Sequence, residues 1–492
     1  MATYKLKYSG EKIDELLTKT DNLGTGSGTT SGTVKLSDAV DSDSGVADGV
    51  ASTPKAVKQV NDALAQTNTQ LGQVSDSLSQ TNTELTEIKA DITNLQAETK
   101  QLRNDVDILQ KKVVYGWRIK HKDSNPATCV SYLADNRGYE SAKMNYSSGV
   151  FDYGSWEDAF FMPKPCMLGY DGVVKEYLDP NDYSKKIDGT PSSVADLSFA
   201  GNAMVEWGKI WYKYTGGDDY TDFYVSNVQA DSDFECWSNH AAGGVVKEHF
   251  YTPIYTGYYD GTCQRSISGT TSTVYQNATQ EFSHCQANGV GWDMECFADR
   301  MLINSLLILI GKNLDTQTAF GNGVIIASTA IANGTMDDKG LFFGANNNTT
   351  GVKVFGMENY WGNIWRRTAG WICDNGTHKI KMCNGTEDGS TVTGYNENGE
   401  GYISISGATP TGTQGSYISG VRRTKFGMIP YQVSGSSTTY FCDGMWFNNS
   451  IVSFARVGGA WSNSVLCGAF CAYLGAAAGH AYTSIGASAS YK

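Results

Sequence analysis

The sequence predicts an α+β protein: an N-terminal coiled-coil stalk followed by a head of short strands and few helices. Three observations predict it. A heptad pattern of mostly apolar residues, with Thr67, Thr81 and Thr99 at three seam positions, runs unbroken from 57 to 113. At about residue 114 that periodicity stops, and Trp, Tyr and Gly become frequent. Beyond that point only one stretch, 293–310, combines helical apolar spacing with a start and a stop signal.

A chain of 492 residues exceeds one domain on length alone. Charged residues are 18%, below the usual quarter, while aromatic residues reach 12% and glycines number 55. This loop-rich composition leans to β structure and suits binding proteins and extracellular structural ones. A net charge of −13 argues against a nucleic-acid partner, and Arg366-Arg367 and Arg422-Arg423 are too short to make a basic patch. The first residues carry no apolar h-region, so no secretory signal is expected. The longest apolar run, Met301 to Ile310, is broken by Asn304 and Ser305 and falls short of the ~20 residues of a membrane span. A soluble protein without membrane insertion is expected. The 11 cysteines are odd in number and lack CxxC or zinc-like His/Cys spacing. They read as reduced, buried thiols, and no cofactor or metal is expected.

Residues 1–23 hold a short amphipathic helix after Ser9, read as an N-terminal attachment helix. Gly24 to Gly32 is a Gly/Ser/Thr linker, opening a region that runs to 56. Ser52 or Thr53 followed by Pro54 is a good helix start. The stalk over 57–113 has one seam at Leu64, Leu71, Leu78, Leu85, Ile92, Thr99, Val106 and Val113. The second seam is Val60, Thr67, Val74, Thr81, Ile88, Leu95, Leu102 and Leu109. Such a repeat means a left-handed coiled coil, roughly 85 Å long at 1.5 Å per residue. Mixed Leu, Ile and Val at the seams do not decide between two and three strands.

From 114 to 200 the chain reads as a β-rich front part of the head, with strands at Val113–Ile119, Cys129–Leu133 and Ala159–Met162. The remainder, 201–492, opens with one alternating strand over Met204–Tyr214. Phe250–Tyr259 follows, with Pro253 expected on a sheet edge. The single long helix is expected from Asp293 as cap to Ile310, ended by Gly311. Further strands are expected near Ile380, Tyr402 and Thr439–Trp446. The closing segment 457–492 alternates tiny residues with Trp461, Phe470, Tyr473, His480 and Tyr482, and is almost uncharged. Its buried-type residues imply that it is tied into the head and does not fray.

Two resemblances sharpen this reading. Gly32-Thr-Val-Lys-Leu-Ser-Asp-Ala, an acidic Ser/Gly stretch and then Ala51-Ser-Thr-Pro-Lys-Ala-Val resemble a small repeat of phage tail fibres. Glu358-Asn-Tyr-Trp-Gly-Asn-Ile-Trp, followed by Ala455-Arg-Val-Gly-Gly-Ala-Trp, resembles the C-type lectin-like fold of the formylglycine-generating-enzyme type. Within that group, Arg456, Gly458, Gly459, Trp461, Gly468, Phe470, Ile485 and Gly486 resemble the fixed frame of variable proteins of diversity-generating retroelements, which include phage tropism determinants. The resemblance implies a C-type lectin-like head over 201–492. It implies a diversified receptor-binding face at Ala460, Ser462, Asn463, Ser464, Cys471, Tyr473, Gly475, Ala476, His480, Tyr482 and Ser484. The sequence departs from that pattern at Ser464, where a glycine often stands, and in its ending Tyr491-Lys492. A surface of small residues with Tyr and His is also what paratopes use, because Tyr contributes large area for few lost rotamers.

Trp361, Trp365, Trp446 and Trp461 read as core before sugar-stacking platforms, and the pairs Asp218-Asp219 and Asp337-Asp338 as turns before a cation site. The motifs of calcium-dependent lectins are absent. Cys467 and Cys471 could pair as redox cysteines, but no Lys, Arg or His stands near them to activate a thiolate. A polysaccharide-cleaving tail spike would favour a repetitive β-helix, and no such repeat is visible. No catalytic residues are expected. The expected protein is a phage tail-fibre receptor-binding protein, made in the host cytoplasm and carried on the virion, as a homotrimer if the resemblance to fibres extends to assembly. Its N-terminus would meet a tail or baseplate protein and its head a bacterial surface receptor, protein or glycan. The runner-up is a cellular or pilus-type adhesin with the same head.

Overall fold

The computed structural model describes residues 35–37, 50–52, 54–110, 112–385, 388–391 and 394–492. The expected attachment helix in 1–23 and the linker 24–32 lie outside the described residues. The chain divides into two compact units, Met1–Val106 and Asp107–Lys492. It is α+β and mostly β. Among the described residues there are four α-helices: α1 (Pro54–Gln110), α2 (Ala278–Gln286), α3 (Phe297–Gly311) and α4 (Thr316–Phe320).

In the first unit Lys35–Ser37 pairs in parallel with Val50–Ser52, joining the two halves of the fibre-like motif. Helix α1 begins at Pro54, whose fixed φ and missing N–H suit a first helical position. Its seam residues from Val57 to Leu102 stand 46–65% exposed along the single chain. Thr67 and Thr81 turn their seam hydroxyls back to the carbonyls of Ala63 and Ser77, each at 2.9 Å, so neither needs another partner. A helix this long normally draws its stability from a buried face more than from propensity.

The second unit is built on three main sheets. A seven-stranded sheet runs Trp292–Met294, Ala489–Tyr491, Phe250–Pro253, Gly201–Trp207, Lys164–Gly169, Val174–Asp179, Asp182–Lys186. A four-stranded sheet runs Trp211–Gly216, Tyr220–Ser226, Val114–Lys120, Val130–Ala134. The third, ten-stranded, has Trp365–Asp374, Val452–Val457, Ala472–Leu474 and Gly444–Phe447 as consecutive neighbours, and Ile485–Gly486 joins Trp365–Arg366 in parallel.

Helix α3 is the hub, with all of its residues buried. The four-stranded sheet docks on it through Trp117 Nε1 to the Ser305 carbonyl (2.9 Å) and Tyr214 Oη to Ser305 Oγ (2.6 Å). On the C-terminal segment, Asn304 Nδ2 and Arg300 Nη2 both donate to the Ala469 carbonyl, at 2.8 and 3.2 Å. Polar residues inside an apolar helix are tolerated where they are partnered: Arg300 and Asn304 each meet a backbone group here, and Ser305 Oγ meets the Tyr214 hydroxyl. The closing strand Ala489–Tyr491 lies between Phe250–Pro253 and Trp292–Met294, so the chain end is tied into a sheet interior.

Several expectations are corrected. Helix α3 starts at Phe297 and not after Asp293, because Trp292–Met294 is claimed by the closing strand. The Met204–Tyr214 strand is two strands in different sheets, broken at Gly208. Pro253 is no edge residue: its strand is interior, and the missing N–H falls at the last strand position. Ala159–Met162 is a turn, closed by Met162 N to Ala159 O (2.9 Å), and the strand follows Pro163. The expected division at 200 falls inside the seven-stranded sheet, which takes strands from both sides of it. All 11 cysteines are buried and unpaired.

Candidate functional site

The closing segment leaves the sheet twice. After Val452–Val457 it forms the loop 460–471, returns as the strand Ala472–Leu474, and forms a second loop over 475–484. The first turn needs glycine. Gly458 and Gly459 have φ of 88° and 82°, and a Cβ on Gly459 would stand 2.4 Å from Cys467 Sγ. Asp443 is buried and receives the Phe470 N–H at 2.7 Å, and burial holds its carboxyl well above the usual range. Gly468 stands where any Cβ would strike that carboxylate.

Both loops are held by their backbones. In the first, Trp461 N donates to Asn363 O (3.0 Å), Ser464 N to Ile325 O (2.9 Å), and Gln317 Nε2 to Val465 O (3.0 Å). In the second, Ala476, Ala478 and Ser484 carbonyls accept from Phe454, Ala278 and Trp365 amides at 3.0, 3.0 and 2.8 Å. The scaffold motif behind them, Asn359-x-x-Gly-Asn, has three left-handed residues: Asn359 (φ 52°), Gly362 (72°) and Asn363 (61°). Asn363 is buried and clamps Ile331 through its amide, accepting from N at 2.8 Å and donating to O at 3.3 Å.

Side chains on this frame fall into two groups. Ser462, His480 and Tyr482 are exposed, and Asn463, Ser464, Tyr473 and Gly475 are half-buried. Ala460, Cys471, Ala476 and Ser484 are buried, at 0, 0, 8 and 8% exposure, so no ligand touches their side chains without rearrangement. Asn463 is committed locally, since its Oδ1 accepts from Ala460 N at 2.9 Å. Ala460 and Cys471 join Trp365 and Ile485 in a small cluster separate from the main core, capped by half-buried Trp446 and Tyr473. Trp365 is edge-on to Trp446 (5.6 Å) and Tyr473 (5.7 Å), and Trp446 stacks on Tyr473 at 6.1 Å. The outer loop adds Tyr482 beside Tyr275, rings 6.4 Å apart, both more than half exposed.

Cationic groups lie beneath the aromatic cap. Arg456 is buried with its guanidinium 5.2 Å from the Tyr473 ring, and its Nε and one terminal nitrogen have no hydrogen-bond partner among the described residues. Burial, and then the nearby Arg367, push it down to about 10. Arg367 forms a buried ion pair with Glu281, and its other nitrogen donates to the His480 carbonyl, which anchors the second loop. Burial pushes Glu281 up to about 7 against the pull of Arg367. Partial desolvation, Arg456 and Arg367 lower His480, so its imidazole is neutral at pH 7.

Cys467 and Cys471 are buried, and burial raises both thiols well above their ordinary value. Neither is poised as a nucleophile. Among the described residues no group of three or more His, Cys, Asp or Glu is placed to hold a metal ion, and no helix is long and apolar enough to cross a membrane. Reading the tryptophans as core fits Trp361 and Trp365 but not the half-buried Trp446 and Trp461. Tyr275 carried no signal in the sequence, being far along the chain from its neighbour Tyr482.

Compared with known proteins, residues 27–70 match the family described as phage tail fibre repeat. No curated protein matches the chain. The matched stretch is a small part of the chain and holds the parallel strand pair and the start of α1. It supports a phage tail fibre protein, and with it a place on the virion and an attachment role in general terms.

Proposed function

We propose that the chain is a tail-fibre receptor-binding protein that attaches the virion to a bacterial surface through the closing segment of its head. The observation that carries this is the fibre repeat at 27–70 running directly into a helix with an unpartnered heptad seam. In this reading α1 is the shaft of a parallel coiled coil, a trimer, with the N-terminal residues meeting the tail or baseplate. The head is a C-type lectin-like domain whose frame residues hold two loops by backbone bonds. Ser462, Tyr473, His480 and Tyr482, with Trp446 and Tyr275, form the contact face. Loops held through their backbones tolerate exchange of outward side chains, which is what a diversified face requires. Several heads on one shaft add avidity of ~10²–10⁴ over one site, so each contact can be weak. Binding is non-covalent, and the deeply buried cysteines support a reading without catalysis.

The test is adsorption. The purified full chain, added to host bacteria before phage, should lower plaque counts in proportion to cell coverage, and the Tyr482→Ala chain should not. Undiminished plaque counts at saturating wild-type chain would refute the attachment role. A reverse transcriptase gene and a near-copy of the 3′ end beside the coding sequence would separately support diversification.

A further inference from the structure

A second site lies away from the closing loops. A cavity of about 240 Å³ is walled by His240, Trp292, Asp293, Asn384, Tyr395 and Lys492. At Gln286 and Tyr395 it meets an open groove between α2 and residues 395–400. Its polar groups are fixed in place. Asp293 accepts from Asn384 Nδ2 (2.9 Å) and from Met294 N (2.8 Å), and Asn384 Oδ1 receives Tyr395 N at 2.9 Å. Trp292 Nε1 donates to Tyr170 O at 3.0 Å, which sets the plane of the indole. Lys492 is committed to Asp299 (3.0 Å) and to Cys296 Sγ (3.2 Å), so its charge is already matched. His240 is different: it is 7% exposed and its Nδ1 has no partner among the described residues. A buried ring nitrogen left without a partner destabilises the fold unless something enters to meet it.

The chemistry of the walls selects the ligand. A carboxylate paired with an amide and an imidazole nitrogen accepts from and donates to neighbouring hydroxyls, which can do both. The half-buried phenol ring of Tyr395 matches the apolar C–H face of a pyranose. Drug-sized ligands take pockets of roughly 300–1,000 Å³, so this cavity is sized for one ring. Glu397 and Glu400 line the groove, and Asp293 stands in the cavity, so an anionic ligand would be repelled.

We propose that this cavity binds one uncharged hexose unit of a polysaccharide, with adjoining units lying along the groove of α2 and residues 395–400. The site is independent of the closing loops and does not need them to be the receptor face.

Saturation-transfer NMR on the full chain tests it, with glucose, galactose, mannose, N-acetylglucosamine, N-acetylgalactosamine and glucuronate as probes. At least one neutral sugar should receive saturation and glucuronate should not. Asp293→Asn should weaken binding at least tenfold, and so should Gln286→Trp, an exposed substitution that narrows the junction and removes the 3.5 Å bond from Gln286 Nε2 to Asp293. Tyr482→Ala should leave sugar binding unchanged. No transfer to any neutral sugar, equal transfer to glucuronate, or full binding in Gln286→Trp would overturn the proposal.

Discussion

Tyr473 and Tyr482 are both tyrosines of the closing segment, and the structure gives them different consequences for stability on removal. Tyr482 is 57% exposed, and its aromatic neighbours among the described residues, Tyr275 and His480, have ring centroids more than 6 Å away. Truncating it should change stability by less than ~0.5 kcal/mol, the usual range for surface substitutions. As an aromatic anchor of the face it should cost ~2 kcal/mol of binding, about thirtyfold in affinity. Tyr473 closes over Trp365, Trp446 and the Arg456 guanidinium. A core aromatic cut to Ala costs ~3–5 kcal/mol, and a half-buried one about half that, so Tyr473→Ala should lose ~2 kcal/mol. With an unfolding entropy of roughly 2.1 cal/mol/K per residue across a unit of about 390 residues, that shifts Tm by only ~2–3 °C. Urea unfolding of the full chain, with cell binding measured in parallel, therefore separates the two variants best. Tyr482→Ala should lose binding at unchanged urea midpoint, and Tyr473→Ala should lower the midpoint. A Tyr482→Ala chain that unfolds as early as Tyr473→Ala, or binds cells as well as wild type, would refute this division of roles.

Other outcomes follow from the same structure. Leu78 and Leu85 are 60 and 46% exposed in the seam, so Leu78→Asp with Leu85→Asp should convert the full chain from oligomer to monomer in sedimentation velocity; persistent oligomers would mean that other residues assemble it. His378 is buried, receives Trp371 Nε1 at 3.1 Å, and is pushed down from 6.5 to about 3 by burial. It stays neutral in the folded chain while the unfolded chain takes up a proton, so its contribution is full above pH 6.5 and is lost as pH falls towards 3. At pH 4.5 the loss is on the order of 3 kcal/mol. Glu281, Glu358 and Asp293, raised by burial to about 7, 7 and 6, favour the folded chain as pH falls and so oppose it. The His378 effect is therefore measured as the difference between wild type and His378→Phe in urea unfolding at pH 7 and 4.5. Asp443→Ala strands the buried Phe470 N–H and should cost ~1–3 kcal/mol, read by the same assay.

The parts of this fold that were legible are those where local chemistry and global structure agree. Heptad spacing marks α1 because a long helix exposes its own periodicity, and Pro54 marks its start. Gly458 and Gly459 stand out because left-handed turns against Cys467 and Tyr360 admit little else. The illegible parts depend on distant pairing. Trp292–Met294 looks like a helix start until the strand Ala489–Tyr491, some two hundred residues later, takes it into a sheet. Likewise Ala460 and Cys471 look like exchangeable surface residues, but Trp365 packs over them from another strand. Tyr275 and the walls of the His240–Asp293 cavity come together only through long-range contacts, and no spacing in the sequence announces them.

Hydrogen exchange of the full chain, with and without surface material from the host bacterium, tests the central claim most directly. The account predicts new protection at the loops 460–471 and 475–484 and at the neighbouring Tyr275, whether or not the His240–Asp293 cavity is also protected. Protection that spares both loops and appears elsewhere on the head would contradict it.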